Sequence, residues 1–236
     1  MLVSGNNAVI KLSSDDNVLL PFIIKKLIEI NPEFEQKIRF VEEIKNKKMD
    51  VVIATGSDVS AKYFDYYFKN AKKIIRKNRK SVAILDGTES KKELEELAID
   101  VFAYFGLGCR NISKIFLPKG YKLDQLFEAF YPFQNVIEHK KYANNYDYNK
   151  AIYLMGSYEI IENGFLLLKE DISLKSPLAM LHYEYYSNLE KVEKFIAENR
   201  QKLQCVVSKN DIPFGQTQNP NLWDYADGED TIALLR

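Results

Sequence analysis

The stretch MDVVIATGSD, Met49–Asp58, decides how this chain is read. Its short β-branched run predicts a strand, and the Val51-Val52-Ile53 core predicts one buried on both faces. Gly56 breaks the run. Ser57 or Asp58 can then cap a long helix over SDVSAKYFDYYFKNAKKIIRK. A strand passing through one glycine into a helix is the joint of a parallel α/β sheet, where ligands gather at strand carboxyl ends. Backbone N–H groups and the helix dipole at Thr55, Gly56 and Ser57 favour a phosphate or pyrophosphate. Taken alone, the same turn also reads as simple capping.

The flanking segments extend the pattern in both directions. Upstream, NAVIKL predicts a buried strand, DDNVLLPFIIKKLIEI a helix with Asp15 or Asp16 as cap, and KIRFVEE a short strand. Downstream, SVAILDG predicts a fourth strand ending at a turn. The alternation is that of a parallel sheet. After Gly87 a new unit begins. Leu94, Leu97, Ala98, Val101, Phe102 and Phe105 form one helical stripe that stops at Gly106. ISKIFLP, GFLLLKE, PLAMLHYEYY and LQCVVSK predict strands, while LDQLFEAF, NKAIYLM and NLEKVEKFIAENRQ predict helices. TIALLR reads as a closing strand. The expected fold class is α/β, with residues 1–88 as one portion and 89–236 as a second carrying a Pro-, Gly- and Asn-rich tail.

Composition excludes several functions. The 236 residues carry 33 basic and 33 acidic side chains, so no general electrostatic grip on nucleic acid or anionic membrane is expected. The basic run Lys72–Lys80 contains paired isoleucines and reads as a solvated helix end. No apolar run reaches the ~18 residues of a membrane span, and no signal peptide pattern opens the chain. Two cysteines and two histidines, Cys109, Cys205, His139 and His182, support neither a disulfide framework nor a metal site. They fit a reducing, cytoplasmic setting. There is no GxGxxG and no Walker pattern.

YFGLGCRN, Tyr104–Asn111, presents one thiol behind two glycines. A nucleophilic thiol needs exposure, a backbone that admits substrate, and donors for a developing oxyanion. Gly106 and Gly108 remove bulk, and the Cys109 N–H can serve as one donor. The opposing reading is a buried small hydrophobe. Cys205 alternates within an apolar strand and reads as core. Lys11, followed by Ser13 and Ser14, stands at a strand end where it can hold a ribose or a 2′-phosphate; by itself it also reads as a surface lysine.

Taken in order, these pieces resemble the aldehyde dehydrogenase superfamily, and within it the acyl-CoA reductase branch that includes the luminescence fatty-acid reductase. GNNAVIKLSS is similar to the strand ending Lys-Pro-Ser-Glu, which maps the adenosine ribose contacts to Lys11 and Ser13. ATGS is similar to the Phe-Thr-Gly-Ser turn near the cofactor pyrophosphate, mapping to Thr55, Gly56 and Ser57. FGLGCRN is similar to the Gly-Gln-x-Cys motif of the catalytic cysteine, mapping to Cys109. SPLAMLHYEYYSNLEKVEKFIAEN, IPFGQTQNP and DYADGEDT resemble later segments, so the likeness covers essentially the whole chain. The glutamate of hydrolytic members falls on Ile84, and the ribose-binding glutamate falls near Ser173.

The resemblance implies an NADPH-dependent reduction of an acyl-CoA or acyl thioester to a fatty aldehyde through an acyl-cysteine on Cys109. Loss of the hydrolytic glutamate fits a reductase, which needs no water to cleave the acyl-enzyme. It further implies a partial cofactor-binding domain over 1–88, a catalytic domain over 89–236, no metal, and a homodimer as an open assembly state. The chain resembles the C-terminal part of a longer enzyme, without the upstream oxyanion asparagine, and is expected to be inactive and to bind NADPH weakly or not at all by itself. Two other classes remain: a thioester-binding or acyl-transfer protein without redox chemistry, and a non-catalytic oligomerisation fragment.

Overall fold

The structure, a computed structural model, describes residues 1–14, 16–44 and 48–236. Asp15, one of the expected helix caps, lies outside them. The elements run β1 (Ala8–Ile10), α1 (Leu19–Ile30), β2 (Ile38–Phe40), β3 (Val51–Thr55), α2 (Asp58–Tyr67), β4 (Lys72–Arg76) and β5 (Lys80–Ile84). They continue α3 (Lys91–Phe102), β6 (Ile112–Pro118), α4 (Asp124–Phe130), α5 (Lys140–Met155), β7 (Ile161–Glu162) and β8 (Leu167–Glu170). β9 (Met180–Tyr186), α6 (Leu189–Glu198), β10 (Leu203–Val207) and α7 (Thr231–Leu234) complete the chain.

The chain forms two compact units, Met1–Lys77 with Gly228–Arg236, and Asn78–Asp227. The first contains two parallel pairs, β1 with β2 and β3 with β4. Asp16 accepts the Val18 and Leu19 amides ahead of α1. Ser57 caps α2 by accepting the Ser60 amide at 3.2 Å. Three expectations change here. The basic run is not a helix end: α2 stops at Tyr67, and Lys72–Arg76 returns as β4, register-paired with Val51–Thr55. Only Val52 of the Val-Val-Ile core is buried, because β3 pairs with a single neighbour. TIALLR does not close a sheet, since Asp230 accepts the Ile232 and Ala233 amides and starts the short helix α7.

The second unit is one six-stranded sheet in the order β10-β5-β6-β9-β8-β7, parallel except for the β7–β8 pair. β5 falls in this unit rather than in the first portion, because it hydrogen-bonds between β10 and β6. β6 lies between β5 and β9. Its Ile115 and Leu117 enter the main core and its Phe116 a second core on the other face, as a central parallel strand requires. α3 begins with a capping box between Ser90 and Glu93 and buries Leu94, Leu97, Ala98, Val101 and Phe102 in the main core. It ends at Phe102, not at Gly106. Tyr104, Phe105 and Gly106 then take successive left-handed conformations, with φ of 51°, 59° and 74°, and reverse the chain toward β6.

Candidate functional site

Cys109 lies in the loop that carries α3 into β6 and is exposed. Because it precedes β6, it sits at the amino edge of the parallel sheet, beside the starts of β5 and β9. The loop is held from beneath by Asn111, which is buried. Its Oδ1 accepts the Gly108 amide at 2.8 Å, and its Nδ2 donates to the Asp100 and Ala103 carbonyls, each at 2.9 Å. One amide group thus ties the end of α3, the left-handed turn and the cysteine loop together. Gly108 is required by close approach, since a Cβ there would stand 2.9 Å from Asn111 Oδ1. Gly106 is required by its positive φ, with the Val101 carbonyl 3.3 Å from where a Cβ would be. Both glycines therefore shape the loop.

Ser81 on β5 links the two cysteines through their backbones. Its hydroxyl donates to the Cys109 carbonyl at 2.9 Å and accepts the Cys205 amide at 3.1 Å. Cys205 is buried, as its alternation implied, and burial pushes its thiol up. Arg110 donates to the Thr217 carbonyl at 2.9 Å and reaches Cys205 Sγ at 3.5 Å. The Thr217 segment is fixed by Asp100, whose carboxylate accepts the Gly215 and Thr217 amides and the Thr217 hydroxyl. Burial pushes the Asp100 carboxyl up, against those three bonds. The tail segment IPFGQT is thereby built into the support of the cysteine loop.

A pocket of about 210 Å³ opens against this loop. Gly106, Leu107 and Gly108 line it together with Lys80, Lys175 and Ser113. Burial pushes the Lys80 ammonium below its ordinary value, Lys175 pushes the same way, and Cys109 opposes. Sequence reasoning missed Lys80, Lys175, Asn111, Ser81 and Asp100. Asn111 alone had a local signal, two residues after the cysteine.

The cofactor candidates lie in the first unit. Lys11, Ser13 and Thr55 line one cavity of about 670 Å³, walled by Tyr63, Phe64 and Tyr67. It opens at the carboxyl ends of β1 and β3. Glu43, just beyond β2, faces the same cavity and was not singled out, although an acidic residue at a strand end is a ribose-binding feature. Gly56 and Ser57 hold the turn instead of lining the cavity. The Gly56 amide donates to the Arg76 carbonyl at 3.1 Å, and the Ser57 hydroxyl is the α2 cap. A Cβ on Gly56 would stand 2.8 Å from Ser60 Cβ and 3.2 Å from the Phe64 ring. Gly56→Ala is therefore expected to cost about 1–3 kcal/mol by displacing the first turn of α2, read as a lower unfolding midpoint in urea. An unchanged midpoint would mean the turn accommodates the methyl group.

A second polar cluster lies across β6, β9 and β8. Lys114, His182 and Lys169 are lateral neighbours in the strand register. Lys114 is fully buried, bonded to Glu184 and to the Asp171 carbonyl, while Lys169 pairs with Asp171. His182 Nδ1 lies 3.1 Å from the Ser173 hydroxyl and 3.2 Å from its carbonyl, and its Nε2 is buried without a partner. Ser173, the position of the ribose-binding glutamate by resemblance, is thus engaged with His182. Burial lowers the His182 imidazole below its ordinary value, with Lys169 and Lys114 acting in the same direction. The folded state therefore favours neutral His182. Its contribution is complete above the unfolded value of about 6.5 and is lost as pH falls through the lower folded value. Thermal melting of the wild type should fall more steeply than that of His182→Gln as pH drops below about 6.5. Parallel curves would contradict the assignment.

No helix among the described residues is long and apolar enough to cross a membrane, and no described cluster of His, Cys, Asp and Glu could hold a metal. The family model described as acyl-CoA reductase (LuxC) matches residues 1–128. Among solved structures, substrate-bound AldH of Staphylococcus aureus is similar at 17% identity and a TM-score of 0.62, over 92% of this chain and 56% of that one. An indole-3-acetaldehyde dehydrogenase complexed with NAD+ is similar at 12% identity and a TM-score of 0.65, over 86% and 50%. A Mycobacterium tuberculosis aldehyde dehydrogenase, also complexed with NAD+, is similar at 12% identity and a TM-score of 0.60, over 85% and 50%. These likenesses show an aldehyde-dehydrogenase-like α/β fold. The chain spans about half the length of these three structures. No curated protein matches it.

Proposed function

The chain belongs to the acyl-CoA reductase (LuxC) family, and on that premise we propose that it carries the nucleophile of a reductase that converts an acyl-CoA or acyl thioester to an aldehyde. The observation that carries the proposal is the placement of Cys109: exposed, on a loop fixed by a buried asparagine, against a pocket with two lysines. Cys109 as thiolate attacks the thioester carbonyl, the carbon–sulfur bond to the carrier breaks, and an acyl-cysteine forms. The Cys109 N–H is one donor for the oxyanion. Ile84, where the resemblance puts the hydrolytic glutamate, packs half-buried against the second core and has no group that could act as a base for water.

A nicotinamide cofactor supplies the hydride that reduces the acyl-cysteine. Lys11, Ser13 and Thr55 are proposed to contact it from their shared cavity, with Gly56 and Ser57 shaping the turn beside it. NADPH is the proposed form because Lys11 can pair with a 2′-phosphate; Glu43 in the same cavity acts the other way, since a carboxylate suits the free 2′-hydroxyl of NADH. Lys11→Ala should weaken NADPH binding about tenfold in a calorimetric titration and NADH binding less. Equal losses would remove Lys11 from the 2′-phosphate. A cytoplasmic location and a homodimer remain part of the proposal.

The direct assay supplies a long-chain acyl-CoA and NADPH to the enzyme that carries this sequence. Aldehyde should appear in step with loss of the reduced cofactor. Thioester consumption with an unchanged cofactor would favour the acyl-transfer reading instead.

A further inference from the structure

We propose that Lys80 and Lys175 form an anion-binding site beside Cys109 that admits an acyl phosphate as a second class of acyl donor. The inference rests on the acyl-cysteine reading of Cys109. The pocket that both lysines line contains no aspartate or glutamate, although the chain carries 33 acidic residues. Neither ammonium group has a hydrogen-bond or ion-pair partner among the described residues. Two cations close enough to repel one another, one of them half-buried, are a costly arrangement that a bound anion relieves. The pocket floor is apolar, with Phe102, Phe105, Leu166 and Met180, so the polar mouth and greasy interior match a molecule with an anionic head and an acyl tail.

The position of the charge selects the donor. Lys80 lies within electrostatic reach of Cys109, and the lining residues Gly106–Gly108 run directly into it. An acyl phosphate carries its anionic oxygens next to the reacting carbonyl. The phosphates of coenzyme A lie a pantetheine arm away from the thioester, too far to share a site with the reacting carbon in an extended substrate. In the proposed step Cys109 Sγ forms a bond to the carbonyl carbon. The carbon–oxygen bond to phosphorus breaks, and inorganic phosphate leaves with its electron pair between the lysines. Nothing is oxidised or reduced, and the product is the same acyl-cysteine that a thioester gives.

The test alkylates Cys109 in the chain itself with iodoacetate and with neutral iodoacetamide, alone and with inorganic phosphate. Iodoacetate should gain about tenfold over iodoacetamide relative to a free thiol, and phosphate should erase that gain. Lys80→Met with Lys175→Met should lose both effects while iodoacetamide still labels. Acetyl phosphate should add an acetyl mass to Cys109 in the wild type only. Equal relative rates with both reagents, or phosphate without effect on the unmutated chain, would overturn the anion site without touching the thioester reading. Acylation by acyl-CoA but not by acetyl phosphate would likewise overturn this proposal alone, whereas an inert Cys109 would defeat both.

Discussion

Replacing Cys109 by alanine is expected to abolish aldehyde formation, by at least about a thousandfold, in the enzyme that carries this sequence. On the proposed mechanism the thiol is the nucleophile of the covalent intermediate, and the rest of its loop offers no substitute: Gly108 has no side chain, and Arg110 and Asn111 are committed to the protein. Ser81 is nearby, but its hydroxyl is held between the Cys109 carbonyl and the Cys205 amide. Cys205→Ala should leave the chemistry intact and cost about 1–2 kcal/mol of stability, because that thiol is packed in the sheet. Iodoacetamide should label Cys109 well before Cys205 for the same reason. Aldehyde at the parent rate from Cys109→Ala would return Cys109 to a structural role.

Asn111→Ala is expected to lower stability by about 2–4 kcal/mol and to slow acylation of Cys109 together. The side chain pairs one buried donor and two carbonyls in a single stroke, and alanine leaves all three facing a void. The left-handed turn at Tyr104–Gly106 would then lose the clamp that holds it against β6. Gly108→Ala should act in the same direction by pushing Asn111 Oδ1 out of place. Urea unfolding reads the first effect and the rate of acyl-enzyme formation the second. A variant with full stability but slow acylation, or the reverse, would separate the loop from its support.

Much of the fold was legible because its signals are local. Ser57 before α2, the α3 stripe and the apolar strands β6 and β10 all express propensities within a few residues. The errors came where pairing partners decide. Lys72–Arg76 has lysines that suit a helix, yet β3 offers it five register partners, and a strand wins. Lys80–Ile84 follows the first unit closely in sequence but belongs to the second, since β10 arrives from more than a hundred residues away to pair with it. The candidate nucleophile was visible through its flanking glycines. Lys80, Lys175 and Asp100 were not, because only the sheet brings the starts of β5 and β9 and the tail to the same loop.

The central claim is that Cys109 accepts an acyl group. Brief incubation of the enzyme that carries this sequence with a long-chain acyl-CoA, followed by peptide mapping in a mass spectrometer, tests it most directly. The account predicts the acyl mass on the peptide containing Cys109 and its release by hydroxylamine, as for a thioester. An acyl mass on Cys205, or on neither cysteine, would contradict it.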